Sequence, residues 1–217
     1  MFVVKNTIVR NISEIFCPHK CICCGKVGGI LCGCCKNDIL VKRERKCLAC
    51  GAWLVDDQCK NCTLPFSKQF CVGEREGALR RLIEIYKYNS VRAASIELAG
   101  LLGAVIEDGY ILVPLPTIRR HIRERGFDHI ALICKKLGMP IERLLARRNN
   151  TVQVGANNEE RQRQATEAYL ALPANPDGNY LLVDDVWTTG SSMMAACEAM
   201  RSVGAKNLAI AVIARSV

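Results

Sequence analysis

The chain has no long apolar run. No hydrophobic stretch approaches the roughly 18–20 residues that a bilayer-spanning helix requires, which excludes a transmembrane segment. It also lacks an export signature. Residues 1–16 scatter Lys5, Arg10 and Glu14 among apolar neighbours, with no continuous apolar region and no small-residue cleavage site. A cytoplasmic location is the expectation. Acids are the minority charge, with 21 Asp and Glu against 30 Lys and Arg, a formal net charge of +9. Nor is the chain poor in core-forming residues. Half of it is apolar, which excludes a disordered polypeptide. The 217 residues suffice for one ordinary domain and a smaller one.

Cysteine is in excess. Twelve of the 14 cysteines lie between positions 17 and 71. Without an export signal, metal ligation explains them better than disulfides do. The pattern C-x2-C-G-x6/7-C-x2-C occurs twice, first as Cys21, Cys24, Cys32 and Cys35, then as Cys47, Cys50, Cys59 and Cys62. A C-x2-C pair turns two thiolates towards one ion, and the glycine after each first pair, Gly25 or Gly51, permits a positive φ. Two pairs complete a closed tetrahedral zinc site. The duplication favours adjacent pairing, and interleaved pairing remains open. Cys17, Cys23, Cys34 and Cys71 are spare, and Cys23 or Cys34 can stand in for a neighbour. An iron–sulfur cluster is the lesser reading of the same ligands. Four cysteines per ion leave no place for a substrate, so two structural zinc ions are expected. Cys134 and Cys197 fall in apolar helical patterns and read as buried hydrophobes.

Two four-thiolate zinc sites contribute about −2 each, which lowers the net charge to about +5. The chain stays basic, so nucleic acid is a plausible partner, with a solvated basic surface as the competing reading. Lys42, Arg43, Arg45 and Lys46 concentrate charge between the cysteine units. They suit either nucleic-acid phosphates or a soluble linker.

Beyond Pro65 the periodicity changes to that of an α/β unit. Apolar residues at Leu79, Leu82, Ile83 and Tyr86 mark one helix face. Residues 96–106 read as a second helix, largely buried. Residues 110–116 read as a short strand ended by prolines. Phe127, Ile130, Cys134 and Leu137 mark a further helix, closed by Gly138 and Pro140. Residues 141–145 read as a strand, 180–183 as the strongest strand, 193–203 as a helix and 208–214 as a last buried strand. Alternating strands and helices predict a mainly parallel sheet with helices on both faces. Ligands of such sheets sit at the C-terminal strand ends.

The richest segment is Tyr180-Leu-Leu-Val-Asp184-Asp185-Val186-Trp187-Thr188-Thr189-Gly190-Ser191-Ser192. Its apolar strand ends in two acids, which suit ribose hydroxyls or Mg2+. The following turn leads into a helix whose first amides lack internal partners and carry partial positive charge, so they suit a phosphate. Gly190 permits close approach, and Thr189, Ser191 and Ser192 add hydroxyls. A plain helix N-cap is the alternative explanation. The unbroken succession of strand, acid pair and turn favours a sugar-phosphate site.

This segment resembles the phosphoribosyl-pyrophosphate signature of type I phosphoribosyltransferases. With cysteine ribbons ahead of it, the chain resembles the ComF/GntX family, which is linked to competence and DNA uptake. The resemblance also takes in Tyr86-Lys87-Tyr88, Val113-Pro114-Leu115-Pro116, Arg125-Gly126-Phe127, Gln153, Arg161 and Tyr169. It implies an α/β phosphoribosyltransferase-like sheet over 67–217, preceded over 1–66 by a small double zinc ribbon with a short N-terminal helix. It implies that Asp184 and Asp185 hold the ribose and carry the chemistry, with Mg2+ nearby. The amides and hydroxyls from Thr188 to Ser192 take the 5′-phosphate, Val186 and Trp187 belong to the same phosphoribosyl-pyrophosphate site, and Lys87 and Arg125 meet the pyrophosphate, with Arg119, Arg120 and Arg123 as further cations. Asp185, or His129 if its loop approaches, is the candidate base. Three positions depart from the family pattern. Trp187 replaces a small aliphatic residue, Asp128-His129 replaces Asn-Gln, and Gln164 replaces Asn.

The implied function is phosphoribosyl transfer to an unknown acceptor, tied to DNA uptake. The alternative is a non-catalytic sensor of phosphoribosyl pyrophosphate or a nucleotide, whose ribbons engage single-stranded DNA or a DNA-translocation protein. The sequence contains no recognisable nucleobase pocket, which argues against ordinary base salvage.

Overall fold

The computed structural model describes residues 20–148 and 168–216. The expected N-terminal helix, Cys17, Gln153, Arg161 and Gln164 lie outside the described residues.

Four strands form one all-parallel sheet: β1 (Lys68–Glu74), β2 (Ile111–Pro114), β5 (Asn179–Trp187) and β6 (Asn207–Arg215), in the order β1-β6-β5-β2. Alternation along the strands builds two cores. On one face Leu181 and Val183 of β5 join Ala209, Ala211 and Ile213 of β6. They pack with α2 (Gly77–Tyr88), α3 (Ala94–Gly103) and α5 (His129–Leu137). On the other, Tyr180 and Leu182 join Leu208, Ile210 and Val212 under α6 (Ser191–Ser202). Strands buried on both faces read as continuous apolar runs, which is why β5 and β6 stand out in the sequence. Cys134 and Cys197 are fully buried, one in each core, as hydrophobes.

Three elements differ from expectation. Residues 141–145 are not a strand. Ile141 makes a single parallel bridge to Leu112, and the chain then forms β3 (Leu145–Arg147), antiparallel to β4 (Tyr169–Ala171) in a separate hairpin sheet. The arginine-rich stretch forms a short helix, α4 (Arg119–Arg125), ended by Gly126 at φ +76°. The acid pair lies inside β5 rather than beyond it, because β6 continues the ladder through Asp184–Val212, Val186–Ala214 and Trp187–Arg215.

The two cysteine units share one local geometry. In each, the amide of the first cysteine donates to a carbonyl five residues on, Lys26 or Ala52, at 2.8 and 2.7 Å. The glycine amide donates back to the first cysteine carbonyl at 2.9 Å, with φ +75° at both Gly25 and Gly51. The units then diverge. Cys32 caps α1 (Gly33–Val41), which carries Cys35, whereas Cys59 and Cys62 lie in irregular chain outside any helix or strand.

The second unit covers the outer edge of β1. Gln69, 2% exposed, accepts from the Leu48 amide at 2.8 Å and donates to Cys47 Sγ at 3.5 Å. Its own amide donates to the Asp57 carbonyl at 2.9 Å. Arg43 Nε donates to the Cys71 carbonyl at 2.8 Å, and the Asp57 carboxylate pairs with Arg45 at 3.0 Å and Arg43 at 3.7 Å. These contacts give Arg43 and Arg45 a partner within the protein. Both serve Asp57, which is 8% exposed, and a buried anion demands such partners. Asp57→Ala leaves Arg43 half-buried without its counter-ion. It should lower the unfolding free energy of the metal-loaded protein by about 2–3 kcal/mol in urea. An unchanged midpoint would mean that Asp57 does not seat the unit on β1.

Candidate functional site

Two sites emerge, and they share no residues. The first is metal-binding in character. Cys21, Cys24, Cys32 and Cys35 bring their sulfurs within 4.8 Å of one another, and so do Cys47, Cys50, Cys59 and Cys62. The pairing is thus adjacent and not interleaved. Four thiolate donors at such spacing fit Zn2+. Backbone amides contact two of the ligand sulfurs at 3.4 Å, from Cys32 to Cys21 and from Asn61 to Cys59. Cys23 and Cys34 are exposed and belong to neither tetrad, and Cys71 bonds to the Gly73 carbonyl at 3.4 Å. Elemental analysis should find two zinc ions per chain, falling to one in Cys50→Ser. A wild-type count of one or none would contradict the paired tetrads.

The second site lies at the C-terminal end of the parallel sheet. Residues 188–190 turn β5 into α6, with Thr188, Thr189, Ser191 and Ser192 exposed. Gly190 is the N-cap at φ +76° and makes no side-chain cap bond. The Ser191 amide makes only a long 3.5 Å contact with Thr189 Oγ1, and a helix start with so little side-chain capping suits an anion. Thr189 Oγ1 and Ser191 Oγ lie 3.0 Å apart across the turn. A cavity of about 50 Å3 opens here, bordered by Asp184, Thr188, Gly190, Ser191 and Ser192.

Val186 and Trp187 do not share this exposure. Val186 packs against one core and Trp187, 5% exposed, against the other. A Cβ on Gly190 would overlap the Trp187 indole. The large ring thus fills the space beneath the turn, and only glycine fits above it.

The two acids have different surroundings. Asp185 is 7% exposed, and its Oδ2 takes Lys87 Nζ at 2.7 Å and His129 Nε2 at 2.6 Å. Burial raises its carboxyl pKa, but the His129 hydrogen bond and the Lys87 charge outweigh this and hold it well below the usual carboxylate range. Asp184 is more exposed and accepts from the Asp185 amide at 2.9 Å. Burial, and then the Asp185 charge beside it, push its carboxyl up to about 7.

The expected cations are engaged inside the protein. Lys87, near the end of α2, pairs with Asp185. Arg125 Nε donates to the Lys87 carbonyl at 2.9 Å, and its Nη1 lies 3.0 Å from His129 Nδ1. Arg119, Arg120 and Arg123 are exposed on α4, where Arg120 meets Glu124 at 3.3 Å.

His129, expected from the sequence only as a candidate base should its loop approach, is the residue that sequence reasoning undervalued. It is 7% exposed and central to the network. The available signal was its place at the start of α5, four residues after Arg125 and directly after Asp128, which caps that helix by accepting from the Ala131 amide at 3.2 Å. Arg147 was also missed. It donates to the Pro116 carbonyl at 3.3 Å and to the Tyr169 hydroxyl at 3.2 Å, tying the hairpin to the end of β2. A basic cavity of about 810 Å3 lies beside it, with Arg119, Arg120 and Arg143 on its wall.

This geometry can be set beside known proteins. Residues 124–216 match the model of the phosphoribosyl transferase domain. Over 97 residues it is 30% identical to the competence protein ComFC of Bacillus subtilis (strain 168), covering 44% of this chain and 40% of that protein. The match thus spans less than half the length of that relative. Together with the two cysteine tetrads, these matches bear out the ComF-type resemblance and the α/β transferase fold read from the sequence. No helix among the described residues is long and apolar enough to cross a membrane.

Proposed function

We propose that the chain binds phosphoribosyl pyrophosphate with Mg2+ and transfers phosphoribose to an acceptor in a process linked to DNA uptake. One observation carries this reading. Within the stretch that matches a phosphoribosyl transferase domain, a half-buried carboxylate, Asp184, stands beside a hydroxyl-rich helix-start turn at the C-terminal edge of a parallel sheet. The turn from Thr188 to Ser192 would hold the 5′-phosphate, with Val186 and Trp187 contributing backbone and support. Asp184 would meet the ribose hydroxyls, with Asp185 held beside it. Mg2+ would accompany the pyrophosphate and neutralise charge as that group leaves.

Departure of pyrophosphate leaves positive charge on the ribose, and fixed carboxylates at Asp184 and Asp185 stabilise it. Lys87 and Arg125 keep unspent N–H donors for pyrophosphate oxygens. Arg119, Arg120 and Arg123 are then candidate contacts for a strand of DNA or for a DNA-translocation protein. The division into a ribbon unit over 1–66 and a transferase unit over 67–217, and a cytoplasmic setting, belong to the same proposal. The link to competence rests on the name of the Bacillus relative.

A sensing role is the second reading, favoured by the internal engagement of Lys87 and Arg125. Pyrophosphate release from phosphoribosyl pyrophosphate and candidate acceptors would establish transfer, and tight binding with no release would establish sensing.

A ligand at about 100 times its dissociation constant stabilises by roughly 2.7 kcal/mol. For a chain of this size that is a rise in Tm of about 5–10 °C. Phosphoribosyl pyrophosphate with Mg2+ should produce such a rise, and Asp184→Asn should abolish it. A wild-type melt that does not move at millimolar ligand would end the assignment.

The pH dependence follows from Asp184. Its raised carboxyl is protonated below about 7 and ionised above. The ionised form is the stronger acceptor for ribose hydroxyls, so affinity should climb as pH rises through about 7. Titration calorimetry across that range checks this, and affinity that falls towards alkaline pH would contradict it. Stability without ligand runs the other way. A carboxyl whose folded pKa is raised loses stability as pH rises from its unfolded value to the folded one.

A further inference from the structure

We propose that His129 is a positioning residue that fixes Asp185 as a buried anchor, so that Asp184 alone presents a free carboxylate oxygen to the sugar. This rests on the phosphoribosyl pyrophosphate reading for its substrate and on the side-chain network for its mechanism.

The donor inventory determines the state of the imidazole. Arg125 Nη1, 3.0 Å from His129 Nδ1, can only donate. Nδ1 must therefore accept, which leaves the ring proton on Nε2. That nitrogen lies 2.6 Å from Asp185 Oδ2, an acceptor. The Thr117 hydroxyl, 3.2 Å from Nδ1, gives its proton to Asp128 Oδ1 at 3.0 Å and so does not compete with Arg125. Every proton in the network is thereby assigned, and His129 is a neutral Nε2–H tautomer. Adding a proton to Nδ1 would set two donors against each other and displace Arg125.

The backbone of His129 is held as firmly as its ring. The Tyr86 hydroxyl donates to its carbonyl at 2.6 Å. Arg125 clamps the other side by donating to the carbonyl of Lys87, the second partner of Asp185. Asp185 Oδ2 thus receives two donors, and the carboxylate cannot turn towards the sheet edge without losing both. Its amide in turn fixes Asp184 through Oδ1 at 2.9 Å. The outward-facing acceptor that remains is the second oxygen of Asp184.

The same logic explains why histidine can stand where the ComF pattern has glutamine. A glutamine amide also offers one donor for Asp185 and one acceptor for Arg125. Leucine offers neither.

The test compares His129→Gln and His129→Leu with the wild type, in the zinc-loaded full chain. Phosphoribosyl pyrophosphate with Mg2+ should bind His129→Gln within about threefold of wild type, and His129→Leu at least about tenfold more weakly, the loss expected for a hydrogen bond to a charged group. Zinc content and the melting curve without ligand establish that each variant is folded. Equal affinity in a folded His129→Leu, or a loss in His129→Gln as large as in His129→Leu, would overturn the proposal. A ligand-free measurement separates this proposal from the reading beneath it. Long-range 15N–1H spectra of the wild-type imidazole should show the Nε2–H tautomer at neutral pH, and an Nδ1–H tautomer or imidazolium would overturn the network. A wild type that shows the expected tautomer but binds no phosphoribosyl pyrophosphate would end the substrate reading and leave the anchoring of Asp185 standing.

Discussion

The buried charge of Asp185 is the constraint around which the transferase unit is arranged. A carboxylate taken out of water costs several kcal/mol unless donors meet it. Those donors come from separate elements: Lys87 near the end of α2 and His129 at the start of α5. Arg125 on α4 completes the frame by bonding to both of them. Three helices and the central strand must reach mutual register before the anion is satisfied. Hydrophobic packing alone tolerates small slips, whereas two bonds near 2.6–2.7 Å to one oxygen do not. The reward for this rigidity is asymmetry. Two adjacent acids in one strand acquire opposite roles because a strand sends neighbouring side chains to opposite faces.

The cysteine units solve a different problem. An edge strand presents unpaired backbone groups that invite pairing with another chain. β1 is such an edge, and its outer groups are met from the second unit: the Gln69 amide by the Asp57 carbonyl, the Cys71 carbonyl by Arg43. Gln69 adds a contact to Cys47, a tetrad ligand. Metal binding and sheet protection are therefore coupled, since the loop that carries Asp57 is held between Cys50 and Cys59. The basic linker shares this task through Arg43 and Arg45, which pair with Asp57, while Lys42 stays exposed.

Much of the fold is legible in the sequence because its signals are periodic and local. β5 and β6 are apolar on both faces, the α2 stripe recurs at helical spacing, and the repeated cysteine units announce their tetrads. β1 was not legible. Its polar Gln69 interrupts the apolar pattern, and only the seated cysteine unit gives that side chain partners. The helix α4 was hidden by its charge, since no residue of it is buried and no stripe marks it. The acid pair was visible, but its division of labour was not. The donors that decide it stand 98 residues before Asp185, at Lys87, and 56 before, at His129. Such pairings are set by topology, and no local window contains them.

The engagement of Lys87 and Arg125 with the protein does not remove them from a pyrophosphate site. An ammonium has three N–H donors and a guanidinium five. Asp185 takes one from Lys87, while the Lys87 carbonyl and His129 take two from Arg125. The remaining donors can meet phosphate oxygens while the anchor stays intact. With His129 neutral, Lys87 and Arg125 together exceed the charge of Asp185 by one. Asp184 balances that excess only when ionised, and its carboxyl sits close to the pH at which this changes. In the proposed transfer, a ribose gaining positive charge would draw Asp184 towards its ionised form, and a departing pyrophosphate would be met by Lys87 and Arg125. On that reading the network answers both charges that a glycosyl transfer creates, with His129 holding Asp185 in place between its partners.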